Sequence, residues 1–442
     1  MSTTTAIPVE RRGAYQTPLL LLSAAAVALA SHALPASLAA LRSTLLFVGL
    51  GGVLATTTKY WLDKRSSRFA LALVALVLVA AAVGRVPVPA YEGFVRYQAT
   101  VELLVGVGLL RKVSARTQLD GALAACTARV SPRLRTPLLC LLSCALAAPL
   151  SVGAVAVLCA SLGKVLAPKT TTAVVAMRTL GATMFVLPTT AGAAIVSASL
   201  PGLARAEVMR FGMPLFLVVV VSCCLRGPLE VLGHDPAPRG GARATLWPLG
   251  LFWLLVGLFL TVTPAHGTTA VALAAFITFF AEAAREQRPG SQVVDDVQDA
   301  LRGATGELVL LFACGVLTAF LARAPLPQGL QHALRYPLQS RAAVAALALF
   351  LLPLTSIVGA HPVVLFSLAF PLLDRRVLGG GAREYVLWVS MFALAQLISP
   401  TSTSARLAAA SLGISPQRAS FGSHALFAGA LALGIWAYVV FG

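Results

Sequence analysis

The sequence of 442 residues contains no asparagine and few charged side chains. Charged residues account for 11% of the chain, whereas soluble globular domains contain about 25%. This shortage of charge excludes a soluble globular protein. Lysine is scarce as well, with five lysines against 29 arginines, a usage that we interpret as that of a bacterial protein from a GC-rich genome.

The motifs of several enzyme and ATPase classes are also absent. The sequence has no Gly-x-x-x-x-Gly-Lys-[Ser/Thr] loop for nucleotide phosphates, no Gly-x-Ser-x-Gly and no His-Glu-x-x-His. The seven cysteines form no Cys-x-x-Cys pair and lie mostly within apolar runs, so we expect small buried side chains and not metal ligands. We therefore predict no enzyme activity, no ATP-driven transport and no resident cofactor.

Hydrophobic residues, in contrast, are abundant. They make up 58% of the chain, and the mean hydropathy of +0.85 indicates a polytopic membrane protein. The net charge of +18 comes from basic residues in short loops between apolar runs, where the positive-inside bias and lipid headgroups account for them. The lipid bilayer is therefore an expected partner, and nucleic acid is not. Arg11 and Arg12 precede the run Pro18–Ala40, which we predict to be a first span with a cytoplasmic N-terminus and not a signal peptide.

Two prolines followed by hydroxyl residues interrupt long apolar runs. Pro188-Thr189-Thr190 does so in the first half, and Pro400-Thr401-Ser402-Thr403-Ser404 does so 212 positions later. Proline removes a backbone N–H from a helix, and Ser or Thr hydroxyls can satisfy the carbonyls that it frees. We therefore predict two broken membrane helices, at residues 170–200 and 384–412.

Further similar stretches occur upstream of these breaks, in the same order. Pro149-Leu150-Ser151-Val152-Gly153-Ala154 resembles Pro353-Leu354-Thr355-Ser356-Ile357-Val358-Gly359-Ala360, and Glu102 has a place equivalent to that of Glu307. Three matches in one order indicate an internal duplication. Each proline stretch lies in an apolar segment too short for two spans, which predicts re-entrant hairpins at residues 136–166 and 341–373.

The pattern as a whole predicts an all-α polytopic membrane protein with about eleven transmembrane helices and two re-entrant hairpins. Its parts are an N-terminal segment with the first transmembrane helix (1–42), a first repeat (43–225), a cytoplasmic linker (226–246) and a second repeat (247–442). Interfacial segments are predicted at 111–135, 282–303 and 324–340. Because each repeat holds an odd number of spans, five, the second should be inverted relative to the first, with the C-terminus outside.

This plan resembles the ion transporter superfamily and, within it, the divalent anion/sodium symporter family. The resemblance covers nearly the whole chain in plan. The Ser-Asn-Thr motifs of that family's hairpin tips are missing, and Pro149-Leu150-Ser151 and Pro353-Leu354-Thr355-Ser356 stand at the tips instead. The resemblance implies an elevator-type secondary transporter that works as a homodimer, here in a bacterial inner membrane.

The hairpin tips and the starts of the half-helices form the candidate binding site. Unpaired N–H groups and positive dipole ends favour a carboxylate or another oxyanion, while hydroxyls and unwound carbonyls can coordinate Na⁺. The candidate substrate-binding residues are Ser151, Thr189, Thr190, Thr355, Ser356, His361, Thr401, Ser402, Thr403 and Arg406. The candidate ligands of a Na⁺ ion are Ser151, Val152, Gly153, Thr189, Thr355 and Thr401.

Each of these residues also has a structural interpretation. The hydroxyls can bond back to their own helices. His361 can bind an anion, carry a proton near neutral pH or lie at the outer surface. Arg406 and Arg178 can hold an anion or pair structurally. The symmetric placement of Glu102 and Glu307 favours a structural role over proton coupling.

We therefore predict a secondary active transporter of a small organic or inorganic anion, with a carboxylate preferred, coupled to Na⁺ or H⁺. Two alternatives belong to the same superfamily, a cation/proton antiporter and a metalloid-oxyanion exporter. An antiporter would need a mid-membrane carboxylate, for which Glu102 and Glu307 are the candidates. An integral membrane transferase is the alternative of another class, suggested by His361 and the arginine-rich external loops.

Overall fold

The computed structural model describes residues 39–56, 58, 65–117, 123–124, 126–127, 129–163, 166–188, 190–200, 202–225, 229–231, 246–262, 267–323, 340–373 and 375–441. Several predictions fall on other residues. Nearly all of the first span Pro18–Ala40, the tip residue Thr189, most of the 226–246 linker and the 324–339 part of one interfacial segment lie outside the described residues.

Helices account for most of the first half. They are α1 (Ala39–Thr56), α2 (Arg65–Gly84), α3 (Ala90–Arg96), α4 (Gln98–Arg116), α5 (Pro132–Leu150), α6 (Val152–Leu162), α7 (Lys169–Thr183), α8 (Ala191–Ser199) and α9 (Arg205–Cys224). The hairpin predicted at 136–166 corresponds to α5 and α6, which meet at Ser151. The predicted broken helix corresponds to α7 and α8, with the break where Pro188 stands.

The second half follows the same order. Its helices are α10 (Trp247–Val262), α11 (Gly267–Arg285), α12 (Gly290–Arg323), α13 (Arg341–Ala346), a π-helical turn (Leu347–Leu351), α14 (Leu352–Ile357), α15 (Pro362–Leu372), α16 (Arg375–Leu378), α17 (Gly381–Ile398), α18 (Thr403–Leu412), α19 (Pro416–Ala419) and α20 (Phe421–Phe441). The 341–373 hairpin corresponds to α13 through α15. The second break separates α17 from α18.

The helical membrane architecture predicted from composition is confirmed. Among the described residues, seven helical stretches are long and apolar enough to cross a membrane. Shorter apolar helices include the hairpin arms α6 and α15, whose length suits entry into the bilayer without a full crossing. The total of about eleven spans stays a prediction.

Two details differ from the sequence-based expectation. The segment 282–303 does not form a separate interfacial helix, because α12 runs without a break for 34 residues and includes the span that follows. Ion pairs from Lys112 and Arg116 of α4 stabilise its polar first half, and a hydropathy pattern does not show such partners. The second detail is a short strand pair within the otherwise helical fold, in which Leu166–Ala167 (β1) pairs antiparallel with Glu230–Val231 (β2) and ties the start of the linker to the end of the first hairpin.

The helices α4 and α12, which carry the equivalent residues Glu102 and Glu307, pack against each other in opposite directions. Lys112 Nζ lies 2.7 Å from an Asp299 carboxylate oxygen, and Arg116 Nη2 lies 2.7 Å from Asp296. Because the residue number falls on α12 as it rises on α4, the two helices are antiparallel. An inverted repeat predicts this relation for its counterpart helices.

The backbones of α3 and α12 approach closely at two glycines. A methyl group on Gly93 would lie 2.5 Å from the Val316 amide nitrogen, and one on Gly315 would clash with the Gly93 carbonyl. Only glycine permits this contact. The approach brings Tyr97, at the junction between α3 and α4, to α12.

The long helix α17 lies at the centre of the packing, in contact with α7, α9, α14 and α20. Its tryptophan, Trp388, is fully buried and packs edge-on against Phe366 of α15, with ring centroids 5.3 Å apart. Both broken helices and the second hairpin are thus held in one core, which fixes the positions of the breaks relative to the tips.

Candidate functional site

The first break is stabilised by a side chain that replaces the N–H missing from its proline. Pro188 leaves the Met184 carbonyl, four residues earlier, without a helical donor. The buried Tyr385 hydroxyl of α17 donates to that carbonyl at 2.8 Å. A tyrosine from the second repeat therefore stabilises the break in the first repeat.

The second break uses a residue of its own segment. Pro400 frees the Gln396 carbonyl, and the Ser402 hydroxyl donates to it at 3.0 Å. Ser402 also caps α18, because its oxygen accepts from the Ala405 N–H at 3.2 Å. The back-bonding role that we considered for the hydroxyls is therefore present at Ser402.

A cluster of hydroxyls joins the second break to the tip of the second hairpin. Ser399 Oγ donates to the Ser356 carbonyl at 2.6 Å and lies 2.8 Å from Thr401 Oγ1. Thr401 Oγ1 is 3.5 Å from the same carbonyl. Ser356 is buried, and its own hydroxyl has no hydrogen-bond partner among the described residues. The structure thus brings Ser356 and Thr401 together, as the sequence analysis expects of the tips.

The half-helix α18 begins beside this cluster. Thr401 and Thr403 are exposed at its start, and Arg406 is exposed on its first turn. None of the ion pairs formed by the described residues includes Arg406. An arginine inside an apolar segment faces a polar cavity or a partner, so the start of α18 combines a free cation with a positive dipole end.

The second arm of the first hairpin, α6, runs parallel to α18. The two helices pack along each other, and a methyl group on Gly163, just after α6, would clash with Leu412, the last residue of α18. They have similar lengths, 11 and 10 residues. Since their C-terminal ends are together, their N-terminal ends are side by side as well.

Arg111 of α4 lies at the N-terminal end of α6. Its Nη2 donates to the Leu150 carbonyl at 3.4 Å, and a side chain on Gly153 would clash with its guanidinium group. Between these two residues, the buried Ser151 has a φ of 48°, a value that favours glycine and costs of order 1–3 kcal/mol. Arg111 therefore adds positive charge at the tip of the first hairpin.

The remaining predicted residues have local partners. Thr190 is buried and caps α8, accepting from the Ala193 N–H at 3.4 Å. Thr355 donates to the Leu352 carbonyl of its own helix at 2.7 Å. His361 is exposed and caps α15, with Nδ1 accepting from the Val363 N–H at 3.3 Å. These bonds give Thr190, Thr355 and His361 structural roles in the helices that they cap or belong to.

The first break and the first hairpin tip are held by different neighbours. Thr268 Oγ1 of α11 donates to the Pro188 carbonyl at 3.3 Å, whereas the tip at Ser151 is held by Arg111. Among the described residues, which leave out Thr189, the hydrogen bonds that join a tip to a break are thus those of Ser356 with Ser399 and Thr401, in the second repeat.

The guanidinium of Arg111 also affects the Na⁺ hypothesis. Val152 and Gly153 were predicted as Na⁺ ligands, yet Gly153 lies against this cation. Charges of like sign repel strongly where the dielectric constant is low. Arg111 thus disfavours Na⁺ at the first hairpin tip, Glu307 partly offsets its charge, and the Na⁺ site stays a prediction.

Arg178, the other arginine within an apolar segment, is packed in a cluster. It is buried, its Nε lies 3.4 Å from Nδ1 of the buried His424, and its Nη2 donates to the Ser423 carbonyl at 3.3 Å. Its guanidinium carbon lies 3.6 Å from the centre of the Phe427 ring. These contacts fasten α7 to α20 and support the structural alternative for Arg178.

The two equivalent glutamates have different neighbours. Glu102 is buried and accepts from Gln98 Nε2 at 2.9 Å. Glu307 is exposed and lies near enough to Arg111 for their charges to interact. Among the residues that the structure describes, no group of three or more His, Cys, Asp and Glu side chains could hold a metal ion.

Arg111 and Tyr385 were not among the site residues predicted from the sequence. Arg111 was assigned to an interfacial segment, although its place at the end of the apolar run 98–110 was a signal of a deeper position. A donor to the Met184 carbonyl could have been expected, because Pro188 leaves that carbonyl without its helical N–H. Tyr385 could not be identified as this donor, since it lies 201 residues from Met184 in the sequence.

The fold is similar to that of a solved structure, the YdaH transporter of Alcanivorax borkumensis. The alignment covers 85% of this chain and 98% of that chain, with a TM-score of 0.55 and 14% sequence identity. No profile of a known protein family and no curated protein matches the sequence. The comparison thus identifies a likeness of fold over nearly the whole of a known membrane transporter.

Proposed function

We propose that this protein is a secondary active transporter that moves a small anion, preferably a carboxylate, and couples the movement to Na⁺ or H⁺. We include in the proposal an elevator-type movement, a homodimer and placement in a bacterial inner membrane. The likeness of fold to a transporter supports the general class. The positive charges at the starts of the half-helices favour an anionic substrate.

One observation carries the proposal, the side-by-side start of the parallel helices α6 and α18. Each helix N-terminus has the effect of about half a positive charge. Arg111 stands at one start, and Arg406, which forms no ion pair with any described residue, stands at the other. The two helix starts and Arg406 favour an oxyanion over a cation, and Arg111 adds to this preference although the nearby Glu307 partly offsets its charge.

The polar groups around this region suit an oxygen-rich ligand. The hydroxyls of Thr401 and Thr403 are exposed at the start of α18, and that of Ser356 has no partner among the described residues. Hydroxyls can donate to carboxylate oxygens, and arginine can bind a carboxylate with two parallel hydrogen bonds. We assign Arg406 the role of anion clamp and the Thr401 hydroxyl that of a substrate ligand.

The test is a thermal-shift screen of the purified protein with carboxylates, sulfate, amino acids and arsenite. We expect at least one carboxylate to raise the melting temperature of the wild type. Arg406→Gln should weaken this ligand about tenfold to hundredfold, because a hydrogen bond to a charged group contributes about 1.5–3 kcal/mol.

Arg418→Gln is the matched control, since Arg418 is also exposed but lies beyond α18, on α19. It should bind the ligand as the wild type does. If no anion stabilises the wild type, or if the two variants lose affinity equally, the anion site at α18 is refuted. A response to arsenite alone would favour the metalloid-oxyanion exporter.

A further inference from the structure

Side chains of α4, α10 and α11 bind backbone carbonyls of the first hairpin and the first break. Each of three hydrogen bonds joins a side-chain donor on one of these helices to a carbonyl oxygen. The pairs are Arg111 Nη2 with Leu150 at 3.4 Å, Trp253 Nε1 with Ala145 at 3.0 Å and Thr268 Oγ1 with Pro188 at 3.3 Å. The three donor helices also pack together, because α11 contacts both α4 and α10. We call α4, α10 and α11 the frame.

The tip and the break of the second repeat are held in another way. They are bonded to each other, since the Ser356 carbonyl accepts from Ser399 and Thr401. Thr318 of α12 also approaches the second hairpin, but its hydroxyl donates to the Cys314 carbonyl of its own helix at 2.8 Å and lies 3.4 Å from the carbonyl on the hairpin. The two repeats, although related in sequence, therefore differ in what fastens their tips and breaks.

A proline makes the first hairpin depend on the frame. Pro149 has no N–H for the Ala145 carbonyl, four residues earlier, and the indole N–H of Trp253 takes its place. If α5 moved away from α10, this carbonyl would lose its donor. A single hydrogen bond between membrane helices contributes little to stability. Three of them can hold the hairpin on the frame and still allow it to leave.

The packing between the first hairpin and the frame is incomplete. A cavity of about 30 Å³ lies where α4, α5 and α10 meet. Its lining includes the apolar side chains of Leu110, Leu146, Pro149, Leu150, Leu249 and Phe252. Atoms that line a void lack dispersion contacts on one side. The interface is therefore easier to separate than the closely packed core around Trp388.

We propose that Arg111, Trp253 and Thr268 form a docking lock, which holds the first hairpin and the first break on the frame and opens in each transport cycle. The inference rests on the proposed function, because an elevator-type movement carries the hairpins and broken helices past the other helices. The lock stabilises the conformation of this structure, in which the three carbonyls have their donors. Loss of a donor shifts the population toward the undocked conformation.

The first test measures undocking without any substrate. Leu146 is fully buried and lines the cavity, so a cysteine at this position should react with a maleimide when the hairpin leaves the frame. Leu146→Cys is made in a chain whose seven natural cysteines are replaced by serine. Trp253→Phe and Thr268→Val each remove one donor. Each should raise the labelling rate about threefold, which corresponds to about 0.6 kcal/mol per hydrogen bond.

Trp436→Phe is the matched control for these variants. Trp436 Nε1 also donates to a carbonyl, that of Ala342 at 2.9 Å, but the bond joins α20 to the second hairpin and does not involve the frame. This variant should leave the labelling rate unchanged. An unchanged rate in Trp253→Phe or in Thr268→Val, or an equal rise in Trp436→Phe, overturns the docking lock.

The second test holds the docked conformation with a covalent link. A short, reducible thiol cross-linker joins Leu146→Cys to Leu249→Cys, because both positions line the cavity. The linked protein should lose uptake of the carboxylate by proteoliposomes, regain it with dithiothreitol, and keep its thermal response to the carboxylate. Gly163→Cys linked to Leu412→Cys is the control, since it joins α6 to α18, which move together in an elevator, and it should keep uptake.

The outcomes separate the docking lock from the proposed function. Full uptake by the linked Leu146–Leu249 pair, an equal loss in the linked control pair, or failure of the Leu146–Leu249 pair to link overturns the lock. A carboxylate response and uptake by the reduced protein leave the proposed transporter standing in each of these cases. If the reduced protein neither responds to an anion nor shows uptake, the proposed function is refuted, whatever the labelling rates.

Discussion

Two arginines within apolar segments illustrate how far a residue's role depends on its surroundings. Arg178 is buried and held by His424, Ser423 and Phe427. Arg406 is exposed, and no ion pair among the described residues includes it. Sequence reasoning gave both residues the same two alternatives, because local hydropathy does not show what packs against a side chain. Only the tertiary structure distinguishes the structural Arg178 from the candidate functional Arg406.

His361 provides the first prediction at this scale. Its Nδ1 caps α15, so Asn, a good capping residue, should preserve both stability and anion binding in His361→Asn. His361→Ala should lose about 1 kcal/mol. Because the cap assigns His361 a structural role, the pH dependence of anion binding between about pH 5.5 and 7.5 should be the same in His361→Asn and in the wild type. A flattened profile in His361→Asn would instead assign His361 a proton.

Among the helices, the prolines explain where each break occurs and which backbone carbonyl needs a side-chain donor. The breaks and hairpin tips were predictable from Pro188, Pro400, Pro149 and Pro353, because an apolar run with a central proline must satisfy a freed carbonyl. The donors were not predictable. Trp253 of α10, for example, donates from Nε1 to the Ala145 carbonyl, freed by Pro149, at 3.0 Å, and lies 108 residues away.

The pairing of Tyr385 with the first break leads to a prediction. Tyr385→Phe leaves the Met184 carbonyl without its donor and should lower the free energy of unfolding by about 1–2 kcal/mol, at the upper end for hydrogen bonds between membrane helices. Pro188→Ala restores an N–H four residues after Met184, so the same Tyr385→Phe change should cost less in that background.

A thermal double-mutant cycle measures this coupling. Equal losses in the two backgrounds would show that Tyr385 stabilises the core through packing and not through the carbonyl that Pro188 frees.

For the whole molecule, the contacts between distant segments agree with one membrane topology. The predicted topology puts both members of each contacting pair on the same side. The pairs are Arg116 with Asp296, Arg135 with Leu229, Glu92 with Arg323, Arg205 with Leu260 and Arg341 with Val377. The first two pairs lie on the predicted cytoplasmic side and the other three on the predicted outer side. The topology could be predicted from the loop charges and the number of spans. The uninterrupted helix α12 could not, because the acidic residues in its polar first half pair with basic residues far away in the sequence.

The central claim is that the tips and breaks enclose an anion-binding site used for transport. The most direct test measures uptake of the carboxylate found in the screen by proteoliposomes. Uptake is measured with an inward Na⁺ gradient and, separately, with an inward H⁺ gradient. Thr401→Val is nearly isosteric and removes a hydroxyl beside Ser356 and Ser399, whereas Ser411→Val changes a half-buried hydroxyl near the far end of α18. We predict that uptake is lost in Thr401→Val and kept in Ser411→Val at equal expression. Equal losses in the two variants, or full uptake in Thr401→Val, would contradict the account.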